Sequence, residues 1–485
     1  MAPRRVGDAD SNTTSRSLVS QATVVVVVDE LNQRECAMHV TDPDYQHDLG
    51  NGYLLRWGTP ADAAHYGALA ESAFFLKKEG VNNPNVAGYA HDLLSDHHPL
   101  CRAQDVAVVV DSNHRLVAAA ALMRQPLAYG EIAIPTGRPE LVCSDANVRN
   151  RGLIRHIMAA LHAKSAARGD LLQAITGIPN YYHQFGYSWS IDYNAFLRIA
   201  IAQIPALPAD APVVRLRRVG ADEYTQWQQL YAEDCQRRGL LVTAAWSYEY
   251  FVHVTEQSRS SESYVPYFLV GADHQPIGYV LVCKRGWEGS ITLTGFGVTA
   301  NQSMLQLCIP MLHACKELIP IIPKALALHP DTHSIEVQVD GDHPFRKICE
   351  YLRIPAHYDA PYTWYLRIPD IRALLWHLRE TLDARLSQSP LRGYHGQCYL
   401  SLYHSGLVLT WHDGKLTEIK PWSIPAYGEH AQAAYPPQAI AQHIFGWRSL
   451  HELRDWYPDV WATPETALLL DILFPKQPSW LLWMN

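Results

Sequence analysis

Apolar residues recur along this chain with two different spacings, which predict a mixture of strands and helices. Short apolar runs bounded by polar turns, among them Tyr53–Trp57, Val106–Val110 and Leu116–Met123, are typical of strands. Between Ile154 and Leu161 the apolar residues return at intervals of three and four, which places them on one face of a helix. The pattern as a whole predicts an α+β or mixed α/β protein.

The N-terminal residues differ from the rest. Residues 1–22 are polar and rich in serine and threonine, which predicts a mobile tail, and the valine run Val24–Val28 is compatible with an edge strand. Regular alternation of strands and helices begins near Gly52. Residues 1–50 are therefore predicted to be an N-terminal extension that is partly disordered.

Two stretches of the chain repeat at the same offset. Arg56–Asp62 is echoed by Leu216–Asp222, and the turn around His114 is echoed around His274. Both pairs lie 160 residues apart, which favours a duplicated strand–helix–hairpin unit, although hairpin turns also look alike by chance. A proline-rich stretch, Ile204–Pro212, has the composition of a linker between the two copies.

The third region begins near Ile368 and has its own strand and helix signals. Leucines at helical spacing follow Leu374, an Asp-Gly turn at Asp413-Gly414 predicts a hairpin, and Ser449 with Glu452 forms a capping-box pattern. The predicted units are an extension (1–50), a first domain (51–203), a linker (204–212), a second domain (213–368) and a third α+β domain (369–485).

Composition narrows the function classes. With 485 residues, 48% of them hydrophobic, the chain is long enough for about three domains with sizeable cores. A net charge of −8 argues against general nucleic-acid binding. The nine cysteines include no Cys-x-x-Cys pair, which disfavours a zinc ribbon or a disulfide framework. No apolar run reaches the ~18 residues of a membrane span, so we expect a cytoplasmic protein.

The chemistry is concentrated in Glu140–Tyr187. An apolar run leads into a loop that carries Arg149, Arg151, Gly152 and Arg155, and the predicted helix follows at once. Unpaired N–H groups and the positive end of the dipole at a helix start favour an anion such as a pyrophosphate. Arginines at a helix start also commonly face solvent, so the spacing leaves both interpretations open.

This loop resembles the coenzyme A loop of the GNAT N-acetyltransferase superfamily, whose pattern is Arg/Gln-x-x-Gly-x-Gly/Ala. Arg149 and Gly152 match that pattern, while Ile154 stands at the third, usually small, position. The positions 160 residues further on, Ile309–Cys315, hold neither arginine nor glycine. The second copy is therefore predicted to lack the phosphate loop and to be non-catalytic.

The order of the whole chain is similar to that of the enhanced intracellular survival family. The similarity covers about Gly52–Asn485 and is carried by five segments: Gly137–Val142, Arg149–Arg155, Tyr182–Tyr187, Ser401–Leu407 and Phe445–Leu450. Family members carry Leu or Ile at the position of Ile154. Cys143–Ala146 departs from the family, where threonine and proline are more common. The resemblance implies tandem GNAT domains, each a mixed central sheet flanked by helices, the second degenerate, and a C-terminal sterol-carrier-protein-like domain.

The resemblance also assigns a cofactor and its site. Acetyl-CoA would place its pantetheine arm along the strand, its pyrophosphate at the loop and its thioester at the next strand. The cofactor-binding residues assigned in this way are Val142, Cys143, Ser144, Asn150, Arg151, Gly152, Leu153, Ile154, Arg155, Gly177 and Ile178.

The catalytic assignments follow from the same resemblance. Tyr182 aligns with the family's catalytic tyrosine, which implies a general acid for the leaving thiolate, although neighbouring tyrosines can also be packing residues. The carboxylate of Asn485 is the implied general base, against the ordinary alternative of a frayed terminus. Glu140 is the other candidate base, with a structural role as its alternative.

The predicted function is acetyl transfer from acetyl-CoA to a primary amine of a small cationic molecule or a lysine side chain. The resemblance further implies a homo-oligomer, often a hexamer in the family. The alternative is a non-catalytic coenzyme A- or lipid-binding carrier. We assign no metal, because an irregular, solvated turn explains the acidic and histidine residues His91, Asp92, Asp96, His97 and His98 better than a metal site does.

Overall fold

The computed structural model describes residues 40–74, 85–260, 263–284, 289–319, 332–423 and 430–482. The predicted mobile tail, the run Val24–Val28 and Asn485 lie outside these residues. No helix within the described ranges is long and apolar enough to cross a membrane.

The strands are numbered in chain order. The first ten are β1 (Gln46–Gly50), β2 (Tyr53–Trp57), β3 (Val106–Val110), β4 (Leu116–Arg124), β5 (Leu127–Tyr129), β6 (Ile132–Ile134), β7 (Thr136–Ser144), β8 (Leu172–Ile175), β9 (Ser188–Asp192) and β10 (Ala195–Ala200). The next eight are β11 (Arg215–Arg218), β12 (Val242–Ala244), β13 (Tyr264–Val270), β14 (Pro276–Cys283), β15 (Ser290–Val298), β16 (Ser334–Val339), β17 (His357–Asp359) and β18 (Thr363–Arg367). The C-terminal strands are β19 (Gly396–Ser401), β20 (Gly406–His412), β21 (Lys415–Trp422), β22 (Ala433–Ala434) and β23 (Trp461–Ala462).

The α-helices are numbered in the same way. Those before the C-terminal region are α1 (Ala63–Ala73), α2 (Asn85–Leu94), α3 (Leu153–Ala167), α4 (Tyr224–Arg237), α5 (Tyr248–Val252), α6 (Met304–Lys316) and α7 (Phe345–Tyr351). The C-terminal helices are α8 (Ile371–His377), α9 (Arg379–Ser387), α10 (Pro437–Ile444), α11 (Leu450–Trp456) and α12 (Pro464–Leu473).

Two large mixed sheets have a common strand plan. The first has the order β1-β2-β3-β4-β7-β8-β18-β9, and the second has the order β11-β13-β14-β15-β16-β10-β17. In each sheet one neighbouring pair is parallel, β7 with β8 and β15 with β16, and the other neighbours are antiparallel. The mixed α/β fold class predicted from the sequence is confirmed.

The two sheets exchange strands. Strand β18 comes from the end of the second half of the chain and lies between β8 and β9 of the first sheet, where Tyr365 pairs with Ile175. Strand β10 lies between β16 and β17 of the second sheet, where Leu197 pairs with Val337. The predicted boundaries at residues 203 and 368 therefore do not coincide with the edges of the sheets.

The first sheet begins earlier in the chain than predicted. Strand β1 pairs with β2 through a tight turn at Asn51-Gly52, and both turn residues have positive φ, 54° and 78°. Asn-Gly is the preferred sequence for such a hairpin turn because both residues tolerate this conformation. The expectation that the fold starts near Gly52 was wrong, because the turn itself is the signal for the preceding strand.

The helices cover the sheets and join them. On one face of the first sheet, α3 packs through Ile157 and Leu161 against the apolar side chains of β2, β3 and β4. Another core combines Tyr66 of α1 with Trp227 of α4 and also includes Trp480. This second core, which is shared by residues from all parts of the chain, holds the two halves together.

The C-terminal region forms a five-stranded sheet, β21-β20-β19-β22-β23, packed against α8–α12. The predicted capping box is present, since Ser449 Oγ accepts a hydrogen bond from Glu452 N at 3.2 Å and Glu452 Oε2 accepts one from Ser449 N at 2.9 Å. The chain then returns to the two large sheets. Trp480 bridges to Thr243 on β12, and its Nε1 donates to Asn194 Oδ1 at 3.0 Å.

Replacement of Trp480 by alanine should lower the free energy of unfolding by ~3–5 kcal/mol, because its ring is fully buried and fits the space over Gly295. Urea denaturation followed by circular dichroism measures the change. Trp456→Ala is the matched control, since Trp456 is 59% exposed and its loss should change stability by no more than ~0.5 kcal/mol. Equal losses in the two variants would contradict the assigned role of Trp480.

Candidate functional site

A wedge opens in the first sheet between β7 and β8. The two parallel strands pair only at Thr136 with Leu172 and at Gly137 with Gln173. Beyond these pairs β7 continues to Ser144 without pairing to β8, which pairs along its opposite edge with β18. The carboxyl ends of parallel strands at such a divergence are the usual place for a ligand in a mixed sheet.

A β-bulge shapes the β7 side of the wedge. Ala119 pairs with Cys143 and Ala121 with Glu140, so two residues of β7, Leu141 and Val142, face one residue of β4. Leu141 adopts a positive φ of 50°, and the Tyr66 hydroxyl donates to its carbonyl oxygen at 2.8 Å. A bulge leaves its extra residue outside the ladder, and the Leu141 N–H donates to Glu140 Oε2 at 3.2 Å instead. This bulge lies within the segment predicted to meet the pantetheine arm.

The loop after β7 forms a cradle for an anion. Asn150 and Gly152 have φ values of 63° and 77°, and Gly152 precedes α3 without a side-chain cap. The first N–H groups of the helix are therefore left for a ligand, and the positive end of the helix dipole adds to their attraction. A bare, glycine-led helix start is suited to a pyrophosphate.

The three arginines of the loop have different surroundings. All three side chains belong to exposed residues, and Arg151 Nη1 donates to the Tyr53 hydroxyl at 3.0 Å with its guanidinium 5.9 Å from the ring centroid. Arg149 lies just before the cradle and Arg155 in the first turn of α3. Strand β2 thus fixes Arg151 at the helix start.

Tyr182 lies at the opposite side of the wedge. It begins a 3-10 turn that ends at Gly186, and its ring packs against those of Tyr181 and Tyr365. Its hydroxyl approaches Gly177, where an added Cβ would lie 3.6 Å from the oxygen. Burial, together with the charge of Glu140, raises the pKa of Tyr182 above its usual value near 10. The phenol is therefore protonated at neutral pH and has a proton to donate.

The tyrosine is supported by further aromatic and polar contacts. Tyr187 packs edge-on against Tyr182, and His162 of α3 lies with its Nε2 3.0 Å from the Tyr187 hydroxyl. On the exchanged strand β18, the Tyr365 hydroxyl accepts from Asn180 N at 2.7 Å and fixes the loop before Tyr182. The position of Tyr182 thus depends on α3 and on a strand from the second half of the chain.

A cavity of about 680 Å³ adjoins the wedge. Arg138 and Glu140 of β7 line it from the first sheet, and Arg198 and Glu336 line it from the second. Arg138 Nη2 lies 2.5 Å from Glu140 Oε1, and Arg198 Nη2 lies 2.8 Å from Glu336 Oε2. An acceptor molecule in this cavity would reach the wedge from the side of Glu140.

The sequence of the first sheet matches a known domain model. Residues 55–190, which contain the bulge, the anion cradle and Tyr182, match the model of the acetyltransferase (GNAT) domain. Residues 55–190 are the acyltransferase domain of a GNAT-superfamily enzyme. Such domains use an acyl-CoA donor, and the cradle at the start of α3 suits its pyrophosphate.

Several solved structures share the fold over most of the chain. A GCN5-related N-acetyltransferase from Kribbella flavida is similar with a TM-score of 0.59 and 16% identity, over 89% of this chain and 100% of that one. One from Anabaena variabilis has a TM-score of 0.59 and 13% identity, over 89% and 99%. Eis1 from Mycobacterium abscessus has a TM-score of 0.54 and 14% identity, over 87% and 98%. No curated protein matches the chain in sequence.

The cofactor-binding residues assigned from the sequence lie together in the GNAT domain. Val142, Cys143 and Ser144 end β7, the loop residues Asn150–Arg155 form the cradle, and Gly177 and Ile178 follow β8. The Cys143 side chain is buried, whereas Ile178 is 56% exposed. Their contacts with a coenzyme stay a prediction. Asn485 lies outside the described residues.

The sequence did not indicate two features of the site. Arg138 is buried and holds Glu140 while its Nη1 donates to Gln125 Oε1 at 2.8 Å, but a basic residue two positions from an acidic one is a common pattern on a strand. Trp364 and Tyr365 come from β18, more than 170 residues from Tyr182 in the chain. No local signal in the sequence links a strand to a distant sheet.

The prediction of a solvated turn holds for Asp96 and His97, which are exposed residues after α2, but it was wrong for His91, Asp92 and His98. His91 and Asp92 lie in α2, and Asp92 and His98 are buried. Asp92 Oδ2 accepts hydrogen bonds from the Ser258 hydroxyl at 2.9 Å and from Arg259 N at 2.7 Å, so it ties the first half of the chain to the second. Within the described ranges, no group of three or more His, Cys, Asp or Glu side chains could hold a metal ion.

The buried His162 makes the stability of the GNAT domain depend on pH. Burial, with a smaller effect from Arg367, lowers the pKa of His162 to about 3 in the folded chain, against ~6.5 when unfolded. Below pH ~6.5 the unfolded chain binds a proton that the folded chain does not, so this histidine destabilises the fold by ~1.4 kcal/mol for each further pH unit down to about 3. His162→Gln should remove that contribution.

The measurement is urea denaturation of the wild type and of His162→Gln between pH 7 and pH 5. We expect a smaller loss of unfolding free energy on acidification in the variant. His65→Gln is the control, because His65 is an exposed residue of α1. Parallel pH dependences in wild type and His162→Gln would contradict the assignment.

Proposed function

We propose that this protein is an acetyl-CoA-dependent N-acetyltransferase that acetylates a primary amine of a small cationic molecule or of a lysine side chain. The observation that carries the proposal is the placement of the Tyr182 hydroxyl at a sheet wedge that faces an anion cradle. The cavity of about 680 Å³ on the other side provides room for an acceptor. Donor, acid and acceptor would then meet at the wedge.

The coenzyme would lie along the wedge between β7 and β8. Its pyrophosphate would bind the N–H groups at the start of α3, with Arg149, Arg151 and Arg155 balancing its charge. The pantetheine arm would run along Val142–Ser144, beyond the two pairs that β7 forms with β8. The thioester would lie beside Gly177 and the Tyr182 hydroxyl.

The reaction is a direct acyl transfer. The neutral amine attacks the thioester carbonyl carbon and forms the new C–N bond, the C–S bond breaks, and the thiolate leaves with the sulfur electron pair. Tyr182 donates its proton to the thiolate as it leaves, and a base takes a proton from the attacking amine. Holding the two reactants in one geometry contributes to the rate as well.

Two groups are candidates for the base. Glu140 lines the acceptor cavity, and its charge acts on Tyr182, although Arg138 engages one of its oxygens. The carboxylate of Asn485 is the other candidate. In its support, Leu481 and Leu482 are buried, and Trp480 binds Asn194, which lines the same cavity. This packing brings Trp480, five residues before Asn485, next to a residue of the cavity wall.

The remaining parts of the chain have supporting roles in this proposal. The second sheet is a degenerate GNAT domain that shapes the acceptor cavity. Its helix α6 starts at Met304 under a Ser303 side-chain cap, and residues 299–303 before it hold no arginine or glycine, whereas residues 309–315 lie within the helix. The C-terminal region is a sterol-carrier-protein-like domain that delivers Trp480 to the centre. The proposal also places the protein in the cytoplasm as a homo-oligomer, with the hexamer as one of the assemblies to be tested.

The alternative function is a non-catalytic coenzyme A or lipid carrier. A lipid needs an apolar cavity of several hundred Å³. The apolar cavity in the core of the C-terminal region, lined by Leu400, Trp411 and Phe474 among others, measures only about 10 Å³. That volume holds about one water molecule, so the described residues favour the enzyme over the lipid carrier.

Arg151→Ala should weaken the binding of coenzyme A by ~1.5–3 kcal/mol, because it removes a charge-assisted contact with the pyrophosphate. Isothermal titration calorimetry with coenzyme A measures the effect. Arg346→Ala is a matched control, since Arg346 also starts a helix and stacks on a tyrosine, 4.0 Å from the ring centroid of Tyr358. Equal affinities for wild type and Arg151→Ala would argue against the cradle as the pyrophosphate site.

Tyr182→Phe should reduce turnover of acetyl-CoA with a primary amine by ~10²–10⁴-fold while leaving coenzyme binding nearly unchanged, because only the acid is lost. The measurement is thiol release from acetyl-CoA over a panel of polyamines, simple monoamines and basic peptides, with calorimetry in parallel. Tyr181→Phe is the control for the loss of a neighbouring hydroxyl. Wild-type protein that binds coenzyme A but turns over no amine would refute the enzyme proposal.

A further inference from the structure

The acceptor cavity lies between the two large sheets and takes its walls from both. Strand β7 provides Arg138 and Glu140, the exchanged strand β18 provides Trp364, and strands β10 and β16 provide Arg198 and Glu336. With a volume of about 680 Å³ it has the size of a small-molecule site. The chemistry of its walls indicates which amines it admits.

The charges of the cavity are mostly neutralised within its walls. Arg138 pairs with Glu140 at 2.5 Å, and Arg198 pairs with Glu336 at 2.8 Å. Asp359 is the further carboxylate among the described lining residues, so three carboxylates and two guanidinium groups leave a net charge of −1. One ammonium group of the acceptor balances that charge. A second or third ammonium group would lie near Arg138 or Arg198 without a carboxylate left to balance it.

Arg198 is the more exposed member of its pair. Its side chain is 32% exposed and that of Glu336 only 4%, so Arg198 is the more accessible of the two lining residues. Gln338 Nε2 also donates to Glu336 Oε1 at 3.0 Å and holds the carboxylate in place below the arginine. A second or third ammonium group in the cavity would therefore lie near the accessible Arg198 side chain, while the carboxylate that could offset this contact is already engaged by Arg198 and Gln338, which costs free energy.

Aromatic rings form much of the remaining wall. Tyr193, Phe196 and Tyr362 are partly exposed and line the cavity, while Tyr264 and Trp364 line it from buried positions. Aromatic side chains bind a flat apolar body by offset or edge-to-face contacts, and bind an ammonium group over their faces. These contacts suit an acceptor with a ring and one amine.

Building on the function proposed above, we infer that the acceptor is an aromatic monoamine, and that Arg198 excludes polyamines. The amine enters at the wedge beside Glu140, and the ring packs against Phe196 and its aromatic neighbours. Arg198 acts as a specificity determinant through repulsion, since an unfavourable contact with the wrong ligand discriminates as effectively as a favourable one with the right ligand.

The test compares kcat/KM for phenethylamine, n-butylamine and spermidine in the thiol-release assay. In the wild type, phenethylamine should exceed both others, and spermidine by at least ~10-fold. Arg198→Gln should raise the ratio of spermidine to phenethylamine by ~10-fold. Arg217→Gln is the matched control, because Arg217 lies on β11 of the same sheet and pairs with Glu223 at the same distance, 2.8 Å, outside the cavity.

Phe196→Ala provides a second variant that leaves the ion pairs intact. It should lower the ratio of kcat/KM for phenethylamine to kcat/KM for n-butylamine several-fold, because one aromatic contact with the acceptor ring is lost. Wild-type preference for spermidine, or an unchanged ratio in a folded Arg198→Gln variant, would overturn the inference while the acetyltransferase function stands. Turnover of none of the amines by wild-type protein that binds coenzyme A would instead overturn the proposed function, and the inference with it.

Discussion

The reciprocal exchange of β10 and β18 is the constraint on which the rest of this structure depends. Each large sheet is completed by a strand from the other half of the chain, and the exchanged strands lie inside the sheets rather than at their edges. Strand β8 pairs with β18 along one edge, whereas along the other edge it pairs with β7 only at Leu172 and Gln173, and the wedge opens beyond these two pairs. The candidate site around the wedge therefore depends on both halves of the chain.

The exchange of strands also gives the second half of the chain, in the proposal a degenerate GNAT domain, a part in the candidate site. Residues 309–315 lie inside helix α6, and that helix begins at Met304 with the Ser303 side chain as its cap rather than with a loop of arginine and glycine, yet strands β10 and β16 bring Arg198 and Glu336 to the acceptor cavity. Tyr365 on β18 supports the loop before Tyr182 through its hydrogen bond from Asn180. One half would hold the coenzyme, and the other would define the space in which the amine must fit.

Local features were predictable from the sequence because they depend on neighbouring residues. The periodicity from Ile154 to Leu161 indicated α3, and Ser449 with Glu452 indicated the start of α11. The position of Tyr182 near the anion loop followed from a family pattern. In contrast, the pairing of Tyr365 with Ile175 and the burial of Asp92 against residues 258 and 259 depend on contacts across 166–190 residues. Such contacts leave no local periodicity, and so the sheet assignment of β10 and β18 was not predicted.

Strand β18 has a further consequence for the timing of assembly. Its residues, 363–367, are synthesised about 190 residues after those of β8, and pairs of such long sequence separation form slowly. Until β18 has left the ribosome, the β8 edge of the first sheet remains without its inner partner, and the loop that carries Tyr182 lacks the Tyr365 hydroxyl. The nascent chain thus completes the first sheet, and with it the packing around Tyr182, only when about three quarters of the protein has been synthesised.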